Sequence, residues 1–184
     1  MSFADRRFFG DTRQWICQRA AGDVLEVAIG TGLNLPWYPA DVRLTGVELS
    51  PGMLAQARQR AVADDHAADL RLGDAQQLRF EDESFDTVVC TFSLCAIPDA
   101  GAAVREMVRV LRPGGLVLLA DHVVSTSRPV RVLQRLVELV TIRTGGEHYT
   151  RRPMDHVRNI SLTIEDTDRF KLGVVERLAA RKPA

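Results

Sequence analysis

The run Val24-Leu-Glu-Val-Ala-Ile-Gly-Thr-Gly-Leu-Asn34, with Glu48 standing at the end of a second apolar run, decides the fold. An apolar segment closed by a carboxylate and a glycine turn, then another capped by a carboxylate, is how an open α/β sheet builds a nucleoside pocket at its strand ends. Glycine belongs at such a turn because a residue without a Cβ lets the backbone bend sharply and come against a ligand. The separation of Glu26 and Glu48 fits the roughly 20 residues that precede a carboxylate accepting from ribose hydroxyls. A glycine pair also occurs in ordinary strand-to-helix turns, so the rest of the chain has to agree.

Bulk properties narrow the partner. With 184 residues and 46% hydrophobic content the chain is expected to form a single domain, 1–184, around one core. Acidic and basic residues balance at 24 each, so the molecule as a whole lacks the field that would steer it to nucleic acid or anionic lipid. A small-molecule partner is expected instead. Cys17, Cys90 and Cys95 have neither metal-ligand spacing nor the density of a disulfide framework, which points to a reducing cytoplasm and no metal site. No signal peptide or long apolar span is visible, so no integral membrane association is expected.

Along the chain, Asp11 to Ala20 reads as a short amphipathic helix within an N-terminal helical segment, 1–22. Val24 to Ala28 and Leu44 to Leu49 read as strands, and Ser50-Pro51 starts a helix running to about Asp64, serine capping free amides and proline suiting the first helical position. Ala68 to Leu72 is a third strand. Phe85 to Phe92 is β-branched and apolar, as expected of a buried central strand. Val104, Met107, Val108 and Leu111 mark a helix from Ala102 to Leu111, ended by Pro113-Gly114-Gly115, before a fifth strand, Leu116 to Ala120. This alternation is the signature of a parallel sheet with right-handed crossovers.

A helix from about Pro129 to Ile142 sets Arg131, Gln134, Arg135 and Glu138 on one side and a broad Val/Leu face on the other. Such a face is expected to be buried. Ser161 to Asp168 and Gly173 to Ala180 are β-rich, and their short connection permits only an antiparallel hairpin.

The chain from about Asp5 to Pro183 resembles the class I S-adenosylmethionine-dependent methyltransferases. The resemblance rests on the order and spacing of EVAIGTG (Glu26 to Gly32), GVELSPGML (Gly46 to Leu54), GDAQQL (Gly73 to Leu78), SFDTVVCTFSLCAIPD (Ser84 to Asp99) and REMVRVLRPGGLVLLADH (Arg105 to His122). Within that family it is similar to small bacterial quinone-biosynthesis and phosphatidylethanolamine methyltransferases. The Cys90 to Cys95 run and the later Asp-His pair also resemble the methyltransferase-like alkyl thiol enzymes.

The resemblance implies a Rossmann-like, doubly wound, seven-stranded sheet, mostly parallel, with an antiparallel strand inserted by the C-terminal hairpin. It implies S-adenosyl-L-methionine as cofactor. Glu26, Ala28, Gly30 and Gly32 would hold its methionine portion, and Glu48, beside Leu49, its ribose hydroxyls. Asp74 and Ala75 would meet the adenine, and the backbone of Thr91 and Phe92 the methionine end. Two departures from the family pattern are visible: alanine stands at Ala28 where glycine is usual, and the N-terminal segment that folds over the cofactor is short, so an open site or one closed by a partner is expected. A homodimer is compatible with this.

The residue chemistry agrees. A sulfonium nucleoside carries no phosphate, so its pocket calls for carboxylates such as Glu26, Glu48 and Asp74 at strand ends, although acidic residues are mostly solvated. Methyl transfer is an in-line displacement in which the protein chiefly aligns an acceptor lone pair and excludes water. Where a base is needed, His122 after the fifth strand is the candidate, with Asp121 beside it. Neighbours on an extended segment point opposite ways, so only one of the pair faces the pocket. His148 and Tyr149, in the loop of the 128–158 insertion, are candidates for the acceptor side. Arg151 and Arg152 suit either an anionic head group or a solvated surface. Cys90 and Cys95 read as apolar sheet residues, and Trp37 and Tyr38 either wall the cofactor or pack. The rival readings are a nicotinamide-dependent oxidoreductase, which would want the tighter Gly-x-Gly-x-x-Gly turn against a pyrophosphate, and a non-catalytic accessory subunit that keeps the cofactor site. Thr91-Phe-Ser-Leu94 lacks the Asn/Asp-Pro-Pro-aromatic motif of amino-methylating DNA enzymes.

Overall fold

The computed structural model describes residues 11–144, 154–158 and 160–184. Its elements are α1 (Thr12–Cys17), β1 (Asp23–Val27), β2 (Arg43–Glu48), α2 (Pro51–Ala63), β3 (Ala68–Leu72), β4 (Phe85–Thr91), α3 (Ala100–Val110), β5 (Leu111–His122), α4 (Arg128–Thr144), α5 (Met154–Arg158), β6 (Thr163–Phe170) and β7 (Val175–Arg181). A short 3-10 turn spans Leu35–Trp37.

All seven strands form one sheet in the order β3-β2-β1-β4-β5-β7-β6. The first five pair in parallel, and β7 runs antiparallel to both β5 and β6. β1 and β4 are almost wholly buried because apolar layers cover both faces. One layer gathers Val88, Met107, Val110 and Leu119 with α3; the other gathers Ile16, Leu54, Ala57 and Val89 with α1 and α2. Strand order reverses between β1 and β4, and the crevice at the carboxyl ends of such a pair is where open α/β sheets take their ligands.

Local chemistry explains the boundaries. Ser50 accepts the amide of Met53 and Pro51 opens α2, while Asp99 accepts the amide of Ala102 at 2.8 Å and starts α3. The Pro-Gly-Gly break after α3 does not separate helix from strand as expected. β5 begins at Leu111 and carries the break within it, because Leu111 pairs with Phe85 and the register shifts before Thr87 meets Leu116. The last two strands lie about two residues further along than their apolar runs predict.

A further expectation is overturned. The Val/Leu face of α4 is not buried: Val132, Leu133, Leu136 and Val137 are exposed, and Gln134 and Glu138 are the buried members. Gln134 fixes this rotation by accepting the Ser125 amide at 2.7 Å and donating to the Val123 carbonyl at 3.0 Å. Turning the leucines inward would strand those groups.

Candidate functional site

The turn after β1 places Ala28 (φ 55°) and Gly30 (φ 61°) in left-handed conformation, and Phe92, after β4, adopts φ 54°. All three border a cavity of about 440 Å³, within the range of small-molecule sites. A Cβ built on Gly30 would meet nothing within 4 Å, so a ligand can come directly against this backbone.

Glu48 ends β2 and lines the cavity. Its two oxygens accept the amides of Gly30 at 2.9 Å and Ser50 at 2.8 Å, which pins the carboxylate and ties the glycine turn to the start of α2. A carboxylate has about four acceptor positions, so each oxygen keeps one for a vicinal diol. Asp74 also lines the cavity and accepts the amide of Gln76 at 2.8 Å, closing the turn that presents Ala75. Ala28, Leu49, Ala75, Thr91 and Phe92 complete the expected residues found in the wall.

Two residues expected to hold the cofactor are not in the wall. Glu26, 1% exposed, lies behind it: Asn34 donates to one oxygen at 2.7 Å and Tyr38 to the other at 2.9 Å. Burial raises its carboxyl to about 7, the bonds from Tyr38 and Asn34 opposing the rise. Asn34 also donates to Thr91 Oγ1 at 2.9 Å and accepts from Arg13 at 2.8 Å, so this network braces the cavity floor from behind. Gly32, also absent from the wall, serves packing: a Cβ there would come within 2.8 Å of Leu35 and 3.3 Å of the Ala57 backbone. Tyr38 is a buried brace, and neither it nor Trp37 lines the cavity.

Of the Asp121-His122 pair, Asp121 is fully buried and accepts the amides of Cys95 at 3.0 Å and His122 at 2.7 Å. Burial lifts its carboxyl to about 6 against these bonds. It ties the turn after β4 to the end of β5 and does not reach the cavity. His122 is half-buried with its ring 5.2 Å from that of Phe92, beside the wall. Among the described residues, Cys95, Asp121 and His122 form the one group able to hold a metal ion, their ligand atoms within 4.8 Å of one another. Cys90 is a buried strand residue whose thiol burial pushes up, whereas Cys95 sits in the turn after β4 and not in the sheet. His148, Tyr149, Arg151 and Arg152 lie outside the described residues.

Sequence reading missed Arg13, Met53, Gln76, Ser93 and Ile97, all of them in the wall. Arg13 comes from α1, and its guanidinium sits 5.2 Å above the Phe92 ring. Only its place in the first turn of an amphipathic helix could have signalled it. Among the described residues, the charged members of the wall are two carboxylates, Glu48 and Asp74, and one guanidinium. That set suits a nucleoside bearing an amino acid better than a pyrophosphate, which calls for a glycine turn opening directly onto a helix.

Residues 25–119 match a family model described as a methyltransferase domain. Over 116 residues the chain is 40% identical to a phosphatidylethanolamine N-methyltransferase of Cereibacter sphaeroides, covering 62% of this chain and 57% of that protein. Over 145 residues it is 31% identical to a ubiquinone/menaquinone biosynthesis C-methyltransferase of Geobacter sulfurreducens, covering 76% and 56%. The chain therefore spans a little over half the length of these relatives. A solved structure of a candidate methyltransferase from Bacillus halodurans superposes with a TM-score of 0.77 at 18% identity, covering 97% of this chain and all of that one, which bears on the fold alone.

Proposed function

Because this chain belongs to the methyltransferase domain family, we propose that it transfers a methyl group from S-adenosylmethionine to a small-molecule or lipid-like acceptor. The observation that carries this reading is Glu48, pinned by the amides of Gly30 and Ser50 with acceptor capacity left for a ribose diol. Asp74 and Ala75 take the adenine side, and Ala28, Gly30, Thr91 and Phe92 the methionine side. Glu26 supports that side from behind through Asn34 and Tyr38. The relatives named for a phospholipid and a quinone favour an apolar acceptor.

When bound, the donor supplies a methyl group made electrophilic by its sulfonium. The residues of this chain fix its orientation, hold the acceptor's lone pair in line and keep water out. His122, beside Phe92 at the end of β5, receives a proton where the acceptor must lose one; Asp121 positions the segment and takes no proton from the acceptor.

Calorimetry on the folded protein tests the assignment. S-adenosylmethionine and S-adenosylhomocysteine should both bind, and Glu48→Ala should weaken them by about a hundredfold or more, the loss of two hydrogen bonds to a charged group. Unchanged affinity in that variant would remove Glu48 from the site. Absence of binding to the wild type would remove the function.

A further inference from the structure

α4 is built inside out. Its polar side is held against the body through Gln134 and the Val123–Ser125 connection, and Glu138 is buried beside it. On the outside stand Val132, 59% exposed, Leu133, 60%, Leu136, 59%, and Val137, 43%. At spacings of one and four residues these four side chains form one continuous apolar ridge. Soluble proteins do not usually leave such a ridge in water unless something covers it.

Charge says what covers it. From Arg128 to Thr144 the helix carries Arg128, Arg131, Arg135 and Arg143 against one acid, Glu138, which is buried. Arg128 and Arg135 are exposed along one flank of the ridge. The chain as a whole is neutral, 24 acidic residues to 24 basic, so this excess is local and no general field explains it. A second copy meeting the ridge across a two-fold axis would bring like arginines together. An apolar ridge flanked by arginines fits an anionic lipid bilayer, the apolar side chains entering the acyl boundary and the guanidinium groups meeting head-group phosphates. No described helix is long and apolar enough to cross a membrane, so the contact is one of lying on the surface.

We propose that α4 docks this protein on anionic bilayers through Val132, Leu133, Leu136 and Val137, with Arg128 and Arg135 against the head groups. α4 departs from the carboxyl end of β5, the sheet edge at which the cavity lies, so docking brings that edge to the lipid. The proposal does not rest on methyl transfer and is tested without it.

The 184-residue chain is sedimented with vesicles of phosphatidylcholine alone and of phosphatidylcholine mixed with phosphatidylglycerol. Binding to the anionic vesicles should be about tenfold or more tighter than to the neutral ones, and should weaken as salt rises. L133S/L136S should reduce it by about tenfold or more, and R128Q/R135Q should erase the preference for anionic vesicles. These side chains are exposed and away from the cavity, so both variants should keep the wild-type melting temperature and donor affinity. Three results would overturn the proposal: wild type that stays in solution with anionic vesicles, L133S/L136S that binds as wild type does, or light scattering in which L133S/L136S dissociates an oligomer while vesicle binding is unaltered. The last would assign the ridge to a second copy of this chain.

Discussion

Glu26 shows how a residue read as a ligand can act as a brace. Its position at the end of β1 was visible in the sequence; its direction was not, because that depends on Tyr38 and Asn34 reaching it from the following turn. Its folded-state carboxyl lies near 7 against an ordinary 4.5, so the folded chain holds the proton more tightly than the unfolded one. The stability contributed by that proton is full below pH 4.5 and is lost as pH rises through 7. Glu26→Gln should therefore flatten the stability profile between those values, by on the order of 3 kcal/mol, as read from urea midpoints across pH. A profile identical to wild type would mean that Glu26 does not bind that proton. Ala28 makes the opposite point, since its departure from glycine was legible but its conformation was not. At φ 55° its Cβ is strained, and Ala28→Gly should stabilise the fold by about 0.5–1 kcal/mol with donor affinity kept. Denaturation that is unchanged or easier would show that the surroundings already relieve that strain.

At the scale of elements, α2 and the glycine turn act together. Gly32 lets the turn lie against Ala57, and its φ of 77° excludes most side chains. Gly32→Ala should cost about 2–3 kcal/mol of stability and weaken donor binding in the same variant, since the turn holding Gly30 must shift with α2. Stability lost with affinity intact would uncouple the two. Strands β1 to β4 and the second half of β5 were legible from their apolar runs, α2 from its cap and α3 from its periodicity, because those signals are local. α4 was legible as a helix with two faces, yet its rotation was not. Periodicity reports that faces differ, and the buried partner of Gln134 decides which one turns inward. Asp121 and His122 were likewise known to face opposite ways, and the Cys95 amide settles that Asp121 is the inward member.

For the molecule as a whole, strand order brings four separated segments, the ends of β1, β2, β3 and β4, to one cavity. A ligand joining them should raise the melting temperature by about 5–10 °C at a hundredfold excess over its Kd, for S-adenosylhomocysteine as for S-adenosylmethionine. A nicotinamide dinucleotide should raise it by none, and a shift with that compound alone would favour the oxidoreductase reading. The amino-acid sequence by itself determined the alternation of strands and helices, the glycine turn and the carboxylate 22 positions beyond Glu26, because hydrophobic period, caps and φ preferences are properties of neighbouring residues. Tertiary structure alone decided that Arg13 joins the wall, that Glu26 stands behind it and that the apolar face of α4 meets the outside. Those outcomes depend on which distant groups supply hydrogen bonds in the interior, and no local pattern carries that information.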